Sequence, residues 1–282
     1  MTRLIVEIET ENCAALLAPT GITTPYEGVS GLEIAGGRVT HILSETELGL
    51  TACLIEPDAP KTVLTYQITL APVGAFYPDM AFAPRLTRYT QAADALAEAS
   101  REVAQKASGG LAGITALVAE AEARFSYAHP EARFNDGTDE VPYLSCGMTP
   151  GSCVDINTYL VASLRAAGYE AAYFYGYFFP EERGGMTDDG HCWVATRHAG
   201  EILEWDIAHH IKAGLGPTQP GLNPRPGKRV AMTHSMGHRY HLPEPDGGRS
   251  ESMIKILGQP IGVSADMQII FPDLKVNLDP WG

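Results

Sequence analysis

The stretch from Thr149 to Gly168 constrains the fold most strongly, because it specifies a helix together with both of its ends. Ser152, followed three residues later by Asp155, resembles a capping box that satisfies free backbone N–H groups at a helix start. Gly168 suits the left-handed residue that follows a helix. Apolar side chains recur at helical spacing from Ile156 to Ala167. The sequence therefore predicts a buried helix that begins just after Ser152.

Cys153 opens this predicted helix. A thiol in the first turn lies among unpaired backbone N–H groups and at the positive end of the helix dipole. Both features favour the thiolate, which is the nucleophilic form of cysteine. The same N–H groups can hold an oxyanion that forms on a carbonyl attacked by the sulfur. The alternative is a small buried apolar residue without a chemical role, but the helix cap and the residues downstream favour the nucleophile.

Composition excludes several classes of function. The chain has 282 residues, of which 45% are hydrophobic, and a formal net charge of −14. That charge argues against nucleic acid and anionic membrane surfaces as partners. No apolar run approaches the ~18 residues of a membrane span, and the first residues do not resemble a signal peptide. We therefore expect a globular protein with no membrane partner.

The cysteines indicate the compartment. There are 5, an odd number, and none forms a Cys-x-x-Cys pair. This usage is typical of a reducing environment, so we expect a cytoplasmic protein without structural zinc. A disulfide between Cys146 and Cys153 is the alternative pairing.

The order of predicted elements indicates an α+β fold with two domains. In residues 1–80, apolar and polar side chains alternate as they do in strands. We expect these residues to form an antiparallel β domain with a hairpin at Gly36-Gly37. Residues 85–282 are expected to form the catalytic domain. Its predicted elements are helices over 90–106 and 111–125, the helix of Cys153, strands over 171–179, 192–196 and 202–207, a long loop over 209–252, and closing strands near 254–257 and 267–271.

A predicted hairpin brings a histidine to an aspartate. If His198-Ala199 is a two-residue turn, then His191 and Asp206 lie opposite each other on neighbouring strands. A longer turn shifts the register but keeps the two side chains close. A carboxylate beside a histidine fixes its tautomer and stabilises the imidazolium. The chain thus supplies the nucleophile, base and orienting group of a cysteine acyl-transfer enzyme.

These residues resemble the bacterial transglutaminase-like superfamily. The resemblance is carried by Gly151-Ser-Cys153-Val-Asp-Ile-Asn, Leu164-Arg-Ala-Ala-Gly168-Tyr, Tyr175-Gly-Tyr177, His191-Cys-Trp193-Val and Glu204-Trp-Asp206. It implies a papain-like core in which Cys153 is the nucleophile, His191 the base and Asp206 the orienting residue. It implies no cofactor, and no calcium site can be recognised in the sequence.

Other residues leave alternatives open. Tyr143 and the backbone N–H of Cys153 are candidate oxyanion donors. His234, His238 and His241 have the spacing of metal ligands if their segment is helical, whereas the surrounding Pro and Gly favour a loop. Trp193 and Trp205 are expected in the core or in the walls of an acyl-binding cleft.

The expected function is cleavage of an amide or peptide bond through a thioester that is released to water. One alternative is a transglutaminase, which releases the thioester to an amine and needs a site that excludes water. Another is a catalytically silent module that binds peptides on the same fold. In each case the expected partner is a peptide or amide.

Overall fold

The computed structural model describes residues 2–221, 224–243 and 248–281. Parts of the segment predicted as a long loop, residues 222–223 and 244–247, lie outside this range. The helices in the described residues are α1 Asp79–Phe82, α2 Asp94–Lys106, α3 Gly110–Arg124, α4 Cys153–Ala166 and α5 Ile207–Ala213. The strands are β1 Thr2–Glu9, β2 Ala15–Pro19, β3 Glu27–Ala35, β4 Gly37–Glu45, β5 Leu50–Pro57, β6 Lys61–Leu70, β7 Phe125–Tyr127, β8 Thr149–Gly151, β9 Glu170–Pro180, β10 Met186–Thr187, β11 Gly190–His198, β12 Glu201–Trp205, β13 Gly227–His234, β14 His238–Pro243, β15 Arg249–Ile254, β16 Ile261–Val263, β17 Ile269–Ile270 and β18 Leu274–Asp279.

Three larger sheets organise these elements. The first strands of the chain lie in two five-stranded sheets of order β10-β18-β1-β6-β3 and β17-β16-β2-β5-β4. A four-stranded antiparallel sheet of order β12-β11-β9-β13 follows, and α4 packs against its strands β9 and β11. The α+β class with an N-terminal β region, predicted from the sequence, is confirmed.

Strand β9 connects two hydrophobic cores. Tyr173 and Tyr175 pack with the helices, in the cluster that contains Cys153. Tyr177 and Phe179 pack with Leu4 and other residues of the N-terminal sheets. Because one strand contributes to both cores, the helices and the N-terminal sheets are held against the same central sheet.

The predicted hairpin at Gly36-Gly37 is wrong. Strand β3 pairs with β6, and β4 pairs with β5, so the two strands joined by Gly36 belong to different sheets. Gly36 alone separates them, and at φ +76° it turns the chain from one sheet to the other. The alternation of apolar and polar residues identified these strands correctly, but it carries no information on which strands pair.

The strands expected near 254–257 and 267–271 do not close a separate catalytic domain. The first overlaps only the last residue of β15, which pairs with β14, and the second corresponds to β17, which joins the N-terminal sheet through β16. Strand β18, further along the chain, pairs with β1. Partner choice between distant strands depends on long-range packing that local patterns do not report. The division into residues 1–80 and 85–282 stays a prediction.

The predicted loop over 209–252 contains regular structure. It includes α5, β13, β14 and β15, and β13 pairs with β9 in the central sheet. His234 ends β13 and His238 begins β14, so the helix that would have aligned His234, His238 and His241 for metal binding is not formed.

Candidate active site

The start of α4 is built as the sequence predicted. Ser152 and Asp155 form the capping box, and the Asp155 carboxylate accepts the Ser152 N–H at 2.8 Å. Arg133 Nη1 lies 3.2 Å from Asp155 Oδ1 and compensates its buried charge. Just before the cap, β8 pairs in parallel with β7. These contacts fix the first turn, and with it the position of Cys153.

Helix α4 meets β11 at Cys192, the residue after His191. The β11–β12 ladder runs only from Val194 to His198, so β12 does not cover the backbone of Cys192. Asn157 of α4 fills this gap: its Nδ2 donates to the Cys192 carbonyl at 3.0 Å and contacts the sulfur at 3.3 Å. The thiol and backbone N–H of Cys192, together with the imidazole of His191, interact with Cys153 and lower the pKa of its thiol. The sulfur of Cys153 is therefore held at the edge of β11, beside His191.

His191 and Asp206 form the predicted pair, although in a different register. His191 Nε2 lies 2.9 Å from Asp206 Oδ2. The hairpin turn is Ala199-Gly200, with φ of +51° and +84°, rather than His198-Ala199. Two positive φ angles define the turn favoured in tight hairpins, and Gly200 adopts one of them without strain. Asp206 lies just past the end of β12 and reaches His191 from the N-cap of α5.

Asp206 also binds His209 and Arg229, two residues that the sequence did not identify as part of the site. Its Oδ1 accepts the backbone N–H of His209 at 3.1 Å, and its Oδ2 lies 2.9 Å from His209 Nδ1. The Arg229 guanidinium donates to the same Oδ2. Asp206 is completely buried, so these donors and His191 supply the compensation that its charge requires.

Arg229 is held in place by aromatic rings and by the sheet. Its guanidinium carbon lies 5.2 Å from the ring centre of Phe178 and 5.1 Å from that of Trp193. Strand β13 carries it beside β9, where Arg229 pairs with Phe178. Gly176 permits this close approach, because a Cβ there would lie 1.9 Å from the Val230 carbonyl oxygen. The bare backbone of Gly176 thus allows β13 to bring Arg229 to Asp206.

The electrostatics of the cluster favour a charged nucleophile and base. The hydrogen bond from the Cys192 thiol, together with His191, lowers the pKa of Cys153 well below its usual 9.0, although burial opposes this. Burial alone would lower the pKa of His191, but the Asp206 carboxylate outweighs it and raises the pKa above 6.5. With Nε2 donating to Asp206, Nδ1 is left to face Cys153. The arrangement favours a thiolate–imidazolium pair.

The neighbouring charges follow the same pattern. Burial opposes ionisation of Asp206, but His191 and Arg229 hold its pKa well below 3.8. Burial and the charge of His191 lower the pKa of His209 to about 4. A neutral His209 can donate its Nδ1–H to Asp206, and its ring stacks on His191 with centres 4.0 Å apart. His209 thereby limits the movement of the His191 ring without adding charge.

A metal ion is a poor match to this cluster. His191, Asp206 and His209 offer ligand atoms that all lie within 4.8 Å of one another. However, the Asp206 oxygen they share already accepts from the guanidinium of Arg229. A metal cation there would stand beside a fixed positive charge, so the residues fit a hydrogen-bonded network better than a metal site.

The other residues considered in the sequence analysis lie as follows. The Tyr143 hydroxyl lies 3.2 Å from Arg124 Nη2 of α3, so its established contact is with that helix. Cys146 is exposed and Cys153 buried, and neither forms a disulfide. Trp193 and Trp205 are buried in the core, where Trp205 Nε1 donates to Thr196 at 2.9 Å. Neither tryptophan forms an open wall beside Cys153.

The negative charge of the Cys153 thiolate affects the pKa of two tyrosines, Tyr127 and Tyr175. Burial is the main cause that raises the pKa of each phenol, and the thiolate charge is the second. Both phenols therefore lie within electrostatic range of the sulfur. Tyr175 lies in the Tyr175-Gly-Tyr177 motif, so its relevance could be read from the sequence, whereas Tyr127 lies in a short strand that carried no such signal.

Comparison with known proteins agrees with this arrangement. Residues 97–205 match the family model of the transglutaminase-like superfamily. The resemblance predicted from the sequence is thus confirmed over the region that carries Cys153 and His191.

Solved structures extend the comparison beyond that region. A candidate cysteine protease from Cytophaga hutchinsonii is similar over 99% of this chain and 97% of its own, with 12% identity and a TM-score of 0.53. At this identity the similarity establishes a shared fold only. The periplasmic domain of TgpA from Pseudomonas aeruginosa, bound to ethylmercury, is 15% identical over 75% of this chain and 91% of its own, with a TM-score of 0.39.

No curated protein sequence matches the chain. In the described part of the structure, no helix is long and apolar enough to cross a membrane.

Proposed function

We propose that the protein is a cysteine hydrolase that cleaves an amide or peptide bond through a thioester on Cys153. The observation that carries the proposal is the contiguous series of Cys153, His191 and Asp206, with the thiol at a helix N-terminus and the imidazole bound to a buried carboxylate. In this mechanism the thiolate attacks the carbonyl carbon and forms a tetrahedral oxyanion. The imidazolium of His191 then protonates the leaving amine, and the thioester remains.

Hydrolysis completes the cycle. Neutral His191 takes a proton from water, and the resulting hydroxide displaces the sulfur and releases a carboxylic acid. Asp206 holds the ring in its productive tautomer throughout. Backbone N–H groups in the first turn of α4 are the proposed oxyanion donors, since they have no partner within the helix.

The burial of Trp193 and Trp205 supports water as the acceptor. A transamidase must deliver a neutral amine and exclude water, usually with aromatic walls over the thioester. The two tryptophans best placed in the sequence to form such walls are only 2% and 0% exposed. We therefore favour hydrolysis, and a cytoplasmic location remains part of the proposal.

Product analysis tests the choice of acceptor. A glutamine-containing peptide is incubated with the enzyme and excess primary amine, and products are quantified by mass spectrometry. Free acid is expected to predominate, with none formed by Cys153→Ala. An amine adduct that grows with amine concentration at the expense of acid would establish the transferase instead.

A further inference from the structure

A cavity lies at the opposite end of α4 from Cys153. It has a volume of about 670 Å³ and lies between the C-terminal half of α4, the start of α2 and the segment around α1. Arg165 is twelve positions after Cys153, which at ~1.5 Å per residue places the cavity about 18 Å along the helix from the thiol. This distance separates it from the proposed catalytic chemistry.

The lining of the cavity is mainly apolar and also includes three arginines, Arg85, Arg165 and Arg197, and the carboxylates of Asp79 and Glu170. Phe82, Pro84, Leu86, Ala97 and Ala162 contribute apolar surface. A cavity of several hundred Å³ with an apolar lining and a few charged groups is typical of a small-molecule site.

Arg165 is the charged group that lacks an opposite charge. Its Nε donates to the Ala171 carbonyl at 2.9 Å and its Nη2 to the Ala81 carbonyl at 3.1 Å. In the described part of the chain, no carboxylate oxygen lies within 4.0 Å of this guanidinium. By contrast, Arg197, which also lines the cavity, is paired with Asp79 and Glu170.

The guanidinium of Arg165 is influenced by a second guanidinium, that of Arg85. Burial and the nearby charge of Arg85 lower the pKa of Arg165 to about 10. Arg85 is itself paired with Glu45 and Glu47. Burial, His238 and the two guanidinium groups also lower the pKa of His234 to about 4. An anion bound at Arg165 would compensate a buried charge that the protein leaves without a carboxylate.

We propose that this cavity binds a small molecule that carries one carboxylate on an apolar body. The carboxylate would pair with the guanidinium of Arg165, and the body would lie between Phe82, Ala97 and Ala162. Arginine suits this role because its planar fork matches the two oxygens of a carboxylate. The apolar lining would add affinity through burial of the body, which a simple inorganic anion cannot use.

Calorimetric titration of the purified protein tests the proposal with three probes. Octanoate has both features, octylamine has the same body with the opposite charge, and inorganic phosphate has charge without an apolar body. We expect saturable binding of one octanoate per chain, and binding at least tenfold weaker for the other two. Equal affinity for octylamine, equal affinity for phosphate, or no binding of octanoate would each overturn the proposal.

Matched variants locate the site. Ala97→Phe fills the cavity, whereas Ala95→Phe places the same ring at an exposed position of α2 outside the lining. Octanoate affinity should fall at least tenfold in Ala97→Phe and stay unchanged in Ala95→Phe. Arg165→Gln should also weaken octanoate at least tenfold, with Arg165→Lys between it and the native protein. Unchanged affinity in a folded Ala97→Phe protein would place the ligand elsewhere and contradict the assignment.

The readout does not depend on catalysis. Octanoate should bind Cys153→Ala as it binds the native protein, because the cavity and the thiol lie at opposite ends of α4. Failure of the proposed hydrolase activity would therefore leave the binding result intact, and the reverse also holds.

Discussion

The guanidinium of Arg229 donates a hydrogen bond to Oδ2 of Asp206, the same oxygen that lies 2.9 Å from Nε2 of His191. Two cationic groups thus meet at one buried carboxylate. The carboxylate stays ionised, orients the imidazole, and is itself oriented by an arginine from β13, the strand at the opposite edge of the central sheet from β12. In our account Arg229 is a positioning residue, which acts on the thiol only through Asp206 and His191.

Replacement of Arg229 tests this positioning role. Arg229→Gln leaves a buried carboxylate without its full compensation, so we expect a loss of about 3–5 kcal/mol in the free energy of unfolding. The charge of Arg229 also lowers the pKa of His191. Its removal should therefore shift the alkaline limb of the pH–activity profile to higher pH. Arg229→Lys keeps the charge and should preserve the position of that limb, and a purely structural role would leave the limb unmoved in both variants.

Replacement of Asp206 tests the orientation of His191. Asp206→Asn keeps the shape of the side chain but removes the charge that selects the tautomer and stabilises the imidazolium. By comparison with other nucleophile–histidine–carboxylate systems, we expect kcat to fall by roughly 10³- to 10⁴-fold. Circular dichroism should show a folded protein. A variant that is folded and retains near-native kcat would show that Asp206 does not orient the base.

The five thiols should differ in reactivity. Cys153 should be alkylated fastest by iodoacetamide at pH 6, because its pKa lies well below 9.0 through the Cys192 hydrogen bond and His191. Burial raises the pKa of Cys13, Cys53 and Cys192. Cys146 is the exposed competitor. Peptide mapping after brief labelling gives the order, and faster modification of Cys146 than of Cys153 would argue against an activated thiol.

The pH–rate profile should have the corresponding form. The active pair is a thiolate with an imidazolium, so activity should fall when Cys153 is protonated and again when His191 loses its proton. The acid limb should lie well below the ordinary cysteine value of 9.0, and the alkaline limb above the ordinary histidine value of 6.5. Measurement of kcat/KM against pH checks both limits. A single limb near the pKa of a free thiol would contradict the ion pair.

Acid should destabilise the fold through its buried histidines. Burial is the first cause that lowers the pKa of His209, His234 and His238 from 6.5 to about 4. Between these values the unfolded chain binds more protons than the folded one, so stability is full above about pH 6.5 and is lost as the pH falls toward 4. Each such group contributes a slope of about 1.4 kcal/mol per pH unit. His191 has a raised pKa and is protonated in both states within this window, so it adds no slope there.

Denaturant unfolding at several pH values measures this slope. His234→Gln should reduce the slope by about 1.4 kcal/mol per pH unit, the contribution of one proton. His41→Gln, at an exposed position, should leave the slope unchanged. Equal slopes for His234→Gln and the native protein would contradict the account of acid sensitivity.

Local signals were sufficient for the helix of Cys153 and for the contact between His191 and Asp206. The capping box and the helical spacing define α4 within the residues that form it. The hairpin argument gave the correct proximity with the wrong register, because it placed the turn one residue before Ala199-Gly200. Proximity survives such an error because Asp206 lies beyond the end of β12 and its own side chain reaches the imidazole.

Long-range features could not be read in this way. Arg229 reaches the site because β13 pairs with β9, and this pairing depends on the close approach allowed by Gly176. The segment that carries β13 is rich in Pro and Gly and was expected to be a loop. His209 was visible next to Asp206 in the sequence, but only the start of α5 places its ring on that of His191.

The most direct test of the central claim is the fate of peptide bonds in the presence of native protein and of two cysteine variants. The native protein and Cys146→Ala should release the same new peptide ends from a peptide library in H₂¹⁸O, with one ¹⁸O in each new carboxylate. Cys153→Ala should release none, and rapid acid quenching of the native reaction should trap an acyl group on Cys153. Cleavage that persists in Cys153→Ala, or a native protein that binds peptides without cleaving them, would contradict a hydrolase that works through a Cys153 thioester.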